Sequence, residues 1–235
     1  MVNMQRIQTK TMLLTRTTTS CDAHSHPEFE AEYESTCALR EDIDWLLSFL
    51  ETTVAKGVKY SPGQFIQIGW MRDRVSAQGD NLTLFEPDFT EAPVRFVRGV
   101  TNTLRQLRLQ KSVAESVGLE TKMLFPNIRQ SGIVCSRHQD SIDFVMERVE
   151  PKNHDSGWFV GCDDPTHNHN DPANLQRLSL YELAVAKPDC IAFLALPEHC
   201  FVKRLTGTTE IRYNQEVLEI KTNSYLAQRA NSRFI

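Results

Sequence analysis

The chain has 235 residues, enough for one large domain or two small ones and for a core that needs no covalent staples. Hydrophobic residues make up 40% and charged residues 24%, an ordinary globular balance that excludes global disorder. The formal net charge of −4, from 26 basic and 30 acidic residues, argues against a general nucleic-acid binder.

Residues 1–20 hold Arg6, Lys10 and Arg16, no acid and many threonines, and read as a flexible N-terminal tail. Met12-Leu13-Leu14 is too short for the apolar part of a secretion signal, and no stretch nears the roughly 20 apolar residues of a membrane span. The cysteines (Cys21, Cys37, Cys135, Cys162, Cys190 and Cys200) form no C-x-x-C pair and no disulfide framework. The expectation is reduced thiols in a cytoplasmic protein with no membrane partner.

From Glu28 to Lys56 the spacing is helical. Phe29 and Tyr33 stand four apart, and Leu39, Ile43, Leu46, Leu50 and Val54 follow at helical steps up to a capping Gly57. Pro62-Gly63 predicts a turn, and Ile66, Ile68 and Trp70 a strand. Gln78-Gly79-Asp80-Asn81 predicts a hairpin loop, with Leu82 to Glu86 returning. A second helix spans about Val100 to Val117 and ends at Gly118. Met123 to Phe125 reads as a short strand and Pro126-Asn127 as a linker.

Ile133 to Ser136 and Ile142 to Arg148 read as strands joined by a polar turn through Gln139 and Asp140. Asp155-Ser156-Gly157 predicts a tight turn, from which Trp158 opens a strand with its indole packed inward. Residues 163–174 read as loop. Ser179-x-x-Glu182 is a capping box that opens a short helix ending before Pro188. Ile191 to Leu196, Phe201 to Arg204, Thr208 to Tyr213 and Val217 to Ile220 read as four more strands. Without βαβ alternation the fold class is α+β: two mixed helix and antiparallel-sheet halves packed together. The expected bounds are an α+β domain over 21–125, a second over 128–222, and a C-terminal tail over 223–235.

Two histidine clusters suggest metal. Asp22-Ala23-His24-Ser25-His26 has the Asp-x-His-x-His form with which barrel-type metal-dependent hydrolases open, since alternate histidines on a strand share one side. The preceding Thr15 to Ser20 is too polar for a barrel strand, and the chain is short for a barrel with its ring of helices. Cys162-x4-His167-x-His169 offers zinc-ligating residue types, but no fourth ligand stands at a standard spacing. Neither cluster is therefore expected to hold zinc. No G-x-S-x-G elbow and no phosphate loop occurs. The expectation is a non-enzyme with no catalytic residue and no cofactor.

Residues 138–172 carry eight acids (Asp140, Asp143, Glu147, Glu150, Asp155, Asp163, Asp164 and Asp171) against Arg148 and Lys152. Residues 21–50 carry eight acids against Arg40. Such stretches are solvated surface or attract a basic partner by long-range steering. Asp155, Asp163, Asp164, His167 and His169 are the candidate partner-binding residues.

The stretch from about Gly132 to Arg204 resembles a small bacterial domain placed among the immunity proteins of polymorphic toxin systems, as their thirty-third numbered type. The resemblance is carried by Ile133-Val134-Cys135, by Met146-Glu147-Arg148, and by the loop into Asp155-Ser156-Gly157-Trp158. A strand ending in Gly161 with acids after it, Leu178 to Leu183, Pro188, and Leu196-Pro197 before Phe201 complete it. Two features depart from the pattern: Asp140-Ser141 stands where a glycine is usual, and Cys162-Asp163-Asp164 where a glutamate is. The resemblance implies a protein that binds a cognate toxin and occludes it; the acidic stretches make a basic toxin the expected partner, and the net charge argues against nucleic acid. The alternatives are a non-catalytic adaptor or structural module and, third, a metal-dependent hydrolase built on His24 and His26.

Overall fold

The structure is a computed structural model and describes residues 12–36 and 39–231. Cys37 and the outer parts of both predicted tails, 1–11 and 232–235, lie outside the described residues. The chain forms two compact units that interleave along the sequence. One takes the chain up to Ile66, Asp73–Glu86 and Val97–Arg105; the other takes Gln67–Arg72, Pro87–Phe96 and Gln106 onward.

The elements of the first half are β1 (Leu13–Thr17), β2 (Phe29–Glu34), α1 (Arg40–Ala55), β3 (Phe65–Ile68), β4 (Met71–Gln78), β5 (Asn81–Asp88), β6 (Arg95–Arg98) and α2 (Thr101–Ser116). The strands make a sheet in the order β1-β2-β5-β4-β3, with β6 also paired to β5. The helical reading of Glu28 to Tyr33 is corrected. Phe29, Ala31 and Tyr33 are buried and alternate with Glu30, Glu32 and Glu34, so the period is two and the segment is β2. A spacing of four satisfies both periods, which is why Phe29 and Tyr33 alone mislead. The helix proper starts at Arg40, where the Asp42 carboxylate accepts the Leu39 N–H at 2.8 Å. It ends as expected at Gly57, with φ of 93°. The predicted hairpin stands, with Gln78 opposite Asn81 around Gly79-Asp80. Leu13–Thr17, read as part of a loose tail, pairs with β2 as an edge strand.

The elements of the second half are β7 (Ser131–Cys135), β8 (Phe144–Arg148), β9 (Asp155–Cys162), β10 (Leu175–Ser179), α3 (Leu180–Ala186), β11 (Cys200–Leu205), β12 (Thr208–Tyr213), β13 (Glu216–Val217) and α4 (Tyr225–Asn231). Their sheet runs β10-β7-β9-β8-β11-β12-β13. β7 and β8 are therefore not hairpin partners. β9 lies between them, parallel to β7 and antiparallel to β8. Met123 to Phe125 forms no strand. Ile191 to Leu196 forms no strand either: it lies within and just after a 3-10 turn over Pro188–Phe193, and Cys190 to Leu196 are all buried. A continuous apolar run has no period to separate strand from buried turn, and Pro188 sets the turn's first residue. The capping box is present, with Ser179 Oγ accepting the Glu182 N–H at 3.1 Å and Glu182 accepting the Ser179 N–H at 2.8 Å.

Trp158 anchors this core. It is 1% exposed, and its Nε1 donates to the Leu194 carbonyl at 3.1 Å. Phe144, Met146, Val160, Val202 and Ile211 are buried in the same cluster. Gly157 takes φ of 78°, and a Cβ there would stand 2.1 Å from the Val149 carbonyl oxygen, so only glycine fits. Arg148 is also buried. Its guanidinium lies 5.4 Å from the Trp158 ring and donates to the carbonyls of Leu124, Ser156, Leu194 and Leu196. One cation thus satisfies carbonyls of the irregular segments around Leu124 and Leu194–Leu196 together with one of β9.

Candidate functional site

β9 divides the candidate residues. Asp155 opens the strand, and Asp163, Asp164, His167 and His169 follow its last residue, Cys162. At roughly 3.3 Å per residue the two ends are about 23 Å apart, so the five do not form one cluster. Asp155 is committed locally: one oxygen accepts the Gly157 N–H at 2.8 Å, and the other takes an ion pair from Arg177 at 2.7 Å. That pairing holds the start of β9: Asp155-Ser156-Gly157, expected as a tight turn, is strand, and the turn falls before it at Asn153-His154.

At the other end, the chain after Cys162 folds into a loop held by side chains that bond their own backbone. Asp164 accepts the N–H and the hydroxyl of Thr166 at 2.8 and 2.7 Å, Asn168 accepts the Asn170 N–H at 3.0 Å, and Asp171 accepts the Ala173 N–H at 2.9 Å. Two ion pairs tie the loop to neighbouring strands. Asp163 meets Lys203 of β11 at 2.8 Å, and Asp164 meets Arg137, just beyond β7, at 2.7 Å. The Thr166 bonds, with Arg137 behind them, hold the Asp164 carboxyl below its ordinary value. The acidity read from the sequence is therefore partly neutralised at these two positions. Glu147 and Glu150 are exposed and have no ion-pair partner among the described residues.

His167 and His169 turn back from the loop onto the end of the sheet. Their rings are 5.0 Å apart, and His169 stands edge-on to Phe159 at 5.4 Å. A Cβ on Gly161 would lie 2.9 Å from the Phe159 ring and 3.0 Å from His169, so the bare glycine leaves room for both rings. His169 Nε2 is 3.5 Å from Cys162 Sγ, and the Cys162 N–H donates to Cys135 Sγ at 3.2 Å. Ligand atoms of Cys135, Cys162, His167 and His169 all fall within 4.8 Å of one another. Both thiols are buried, and His167 Nε2 is buried without a hydrogen-bond partner. Burial pushes the Cys135 thiol up and, with His167 alongside, pushes the His169 imidazole down. The missing fourth partner of the Cys162-His167-His169 set is thus Cys135. No sequence spacing marks it, because it depends on the parallel pairing of β7 with β9.

The N-terminal histidines behave differently. His26 is buried and spends both ring nitrogens on backbone: Nε2 accepts the Tyr60 N–H at 2.9 Å, and Nδ1 faces the Pro27 carbonyl at 2.7 Å. Stacking on Phe29 completes a packing role. Among the described residues, Asp22, His24 and His26 join no group of ligands able to hold an ion. The remaining buried ionisable pair, Asp73 and Glu86, is bridged by Thr103. Its hydroxyl donates to Asp73 at 2.9 Å and its N–H to Glu86 at 2.7 Å. Burial pushes both carboxyls up, Asp73 well above its ordinary value.

Residues 109–209 match the Imm33-like domain family, a segment that begins within α2 and ends in β12. It contains Arg148, Trp158 and the whole Cys135-Cys162-His167-His169 cluster. No curated protein and no solved structure matches the chain. Among the described residues, no helix is long and apolar enough to cross a membrane.

Proposed function

We propose that the chain is an immunity protein that binds a cognate protein toxin and neutralises it by occlusion. The observation that carries this reading is the Imm33-like match over residues 109–209. The surface it needs is roughly 800 Å² on each partner with a few buried anchors. Asp163, Asp164, His167 and His169 lie on a loop tied down by ion pairs and by bonds to its own backbone. Such a loop loses little freedom on binding, which favours affinity. Asp155, at the far end of β9, belongs to a separate part of the surface. Glu147 and Glu150 supply the unpaired negative charge that would draw in a basic partner.

The test is co-expression with the toxin encoded beside this chain in its native host. Cells carrying both should grow, while cells carrying the toxin with an empty vector should not. Death of the co-expressing cells, with both proteins present at equal levels, would end the immunity reading.

A further inference from the structure

The cluster at the end of β9 has the composition and compactness of a metal centre. Two sulfurs and two imidazoles are the ligand set of a structural zinc site, and four protein ligands leave no open position for a water or a substrate. In a tetrahedral zinc centre a sulfur and a nitrogen ligand are about 3.6 Å apart. Cys162 Sγ and His169 Nε2 are 3.5 Å apart, and the whole set lies within 4.8 Å. A two-iron cluster with the same residue types would split the ligands between two irons. So compact a set fits a single ion.

The surroundings suit the charge. Two thiolates balance one divalent cation, so the centre is neutral and tolerates burial. The Cys162 N–H already points at the Cys135 sulfur, where it would stabilise a thiolate. The Cys135 carbonyl is tied to His138 Nδ1 at 2.9 Å, which holds the end of β7 in place. The orphaned, buried Nε2 of His167 marks a ring placed where the protein gives it no partner.

We propose that Cys135, Cys162, His167 and His169 bind one zinc ion in a closed tetrahedral site that fastens the loop after β9 to the ends of β7 and β9. On binding, each thiol gives its proton to solvent and forms a sulfur–zinc bond. The imidazoles add as neutral donors, and no electron moves. The site is structural. It clamps the loop carrying Asp163 and Asp164, and it stands whether or not that loop touches a toxin.

The experiment uses the full chain, expressed with added zinc and purified anaerobically without chelator. Elemental analysis should find one zinc per chain. Cobalt(II) added to chelator-stripped protein should give the intense visible bands of a tetrahedral thiolate site. His167→Gln changes a half-buried loop residue and should keep the far-ultraviolet circular dichroism of the wild type while weakening zinc binding by more than about 100-fold. Gly161→Ala, which crowds His169 without removing a ligand, should weaken it less. Metal-free protein from the zinc-supplemented culture, iron with labile sulfide, or a Cys135–Cys162 disulfide in the anaerobic preparation would each overturn the proposal. So would full zinc occupancy in a folded His167→Gln, His169→Gln double variant.

Discussion

The backbone N–H of Cys162 donates to the sulfur of Cys135 at 3.2 Å, joining residues 27 positions apart at one end of the sheet. The contact exists because β9 enters between β7 and β8 and runs parallel to β7. It places a cysteine from each strand beside two histidines from the loop that follows.

Trp158→Ala should destabilise the protein by about 3–5 kcal/mol, as large-to-small core changes do. The ring is buried and its N–H donates to the Leu194 carbonyl, so the substitution leaves a cavity and removes one of that carbonyl's two donors, the other being Arg148. Chemical denaturation measures the effect. A variant as stable as the wild type but deficient in partner binding would move Trp158 from the core to an interface.

Arg148→Met should cost about 3 kcal/mol or more, since several buried carbonyls lose their donor at once. Arg148→Lys should recover only part of this, because one ammonium cannot serve both the Ser156 carbonyl held by Nε and the Leu124, Leu194 and Leu196 carbonyls held by Nη1, as the guanidinium's fixed fork does. Equal stabilities for the lysine variant and the wild type would contradict this role.

Much of this was legible in the sequence, and the failures have two causes. The capping box at Ser179, the Gly57 and Gly118 helix ends, the Gly79-Asp80 hairpin and the inward Trp158 are local signals, and each appears where its chemistry places it. Strand pairing is not local. Reading Ile133–Ser136 and Ile142–Arg148 as hairpin partners followed from their adjacency in sequence, yet β9 separates them. The same step hid Cys135 from the Cys162-x4-His167-x-His169 motif. Glu28–Tyr33 and Ile191–Leu196 failed for a different reason: a four-residue spacing and an unbroken apolar run each fit two periods.

Asp73→Asn should stabilise the protein at neutral pH. The folded-state pKa of Asp73 is raised, so its favourable contribution is complete below the ordinary carboxylate value and is lost as pH climbs through the raised one. An amide keeps an oxygen for the Thr103 hydroxyl and cannot ionise. The variant's advantage should be present near pH 8 and shrink toward pH 4. Thermal melts across that range decide it; an advantage that grows as pH falls would reverse the assignment.

Charge reversal should separate steering from holding. Glu147→Lys with Glu150→Lys removes unpaired acids, and should slow association with a basic toxin and flatten its salt dependence while leaving dissociation nearly unchanged. Neutralising Asp163 and Asp164, already paired with Lys203 and Arg137, should affect association less. Stopped-flow association at several salt concentrations reads both. Indifference to the glutamate reversal and to salt would remove steering from the account.

The central claim is inhibition by occupancy, and a titration tests it most directly. The activity of a fixed amount of the cognate toxin is measured against rising amounts of this chain. The account predicts a linear fall that ends near one chain per toxin, with activity returning when the complex is dissociated. Full protection at a small fraction of one equivalent would mean that the chain destroys or modifies the toxin catalytically, and would contradict it.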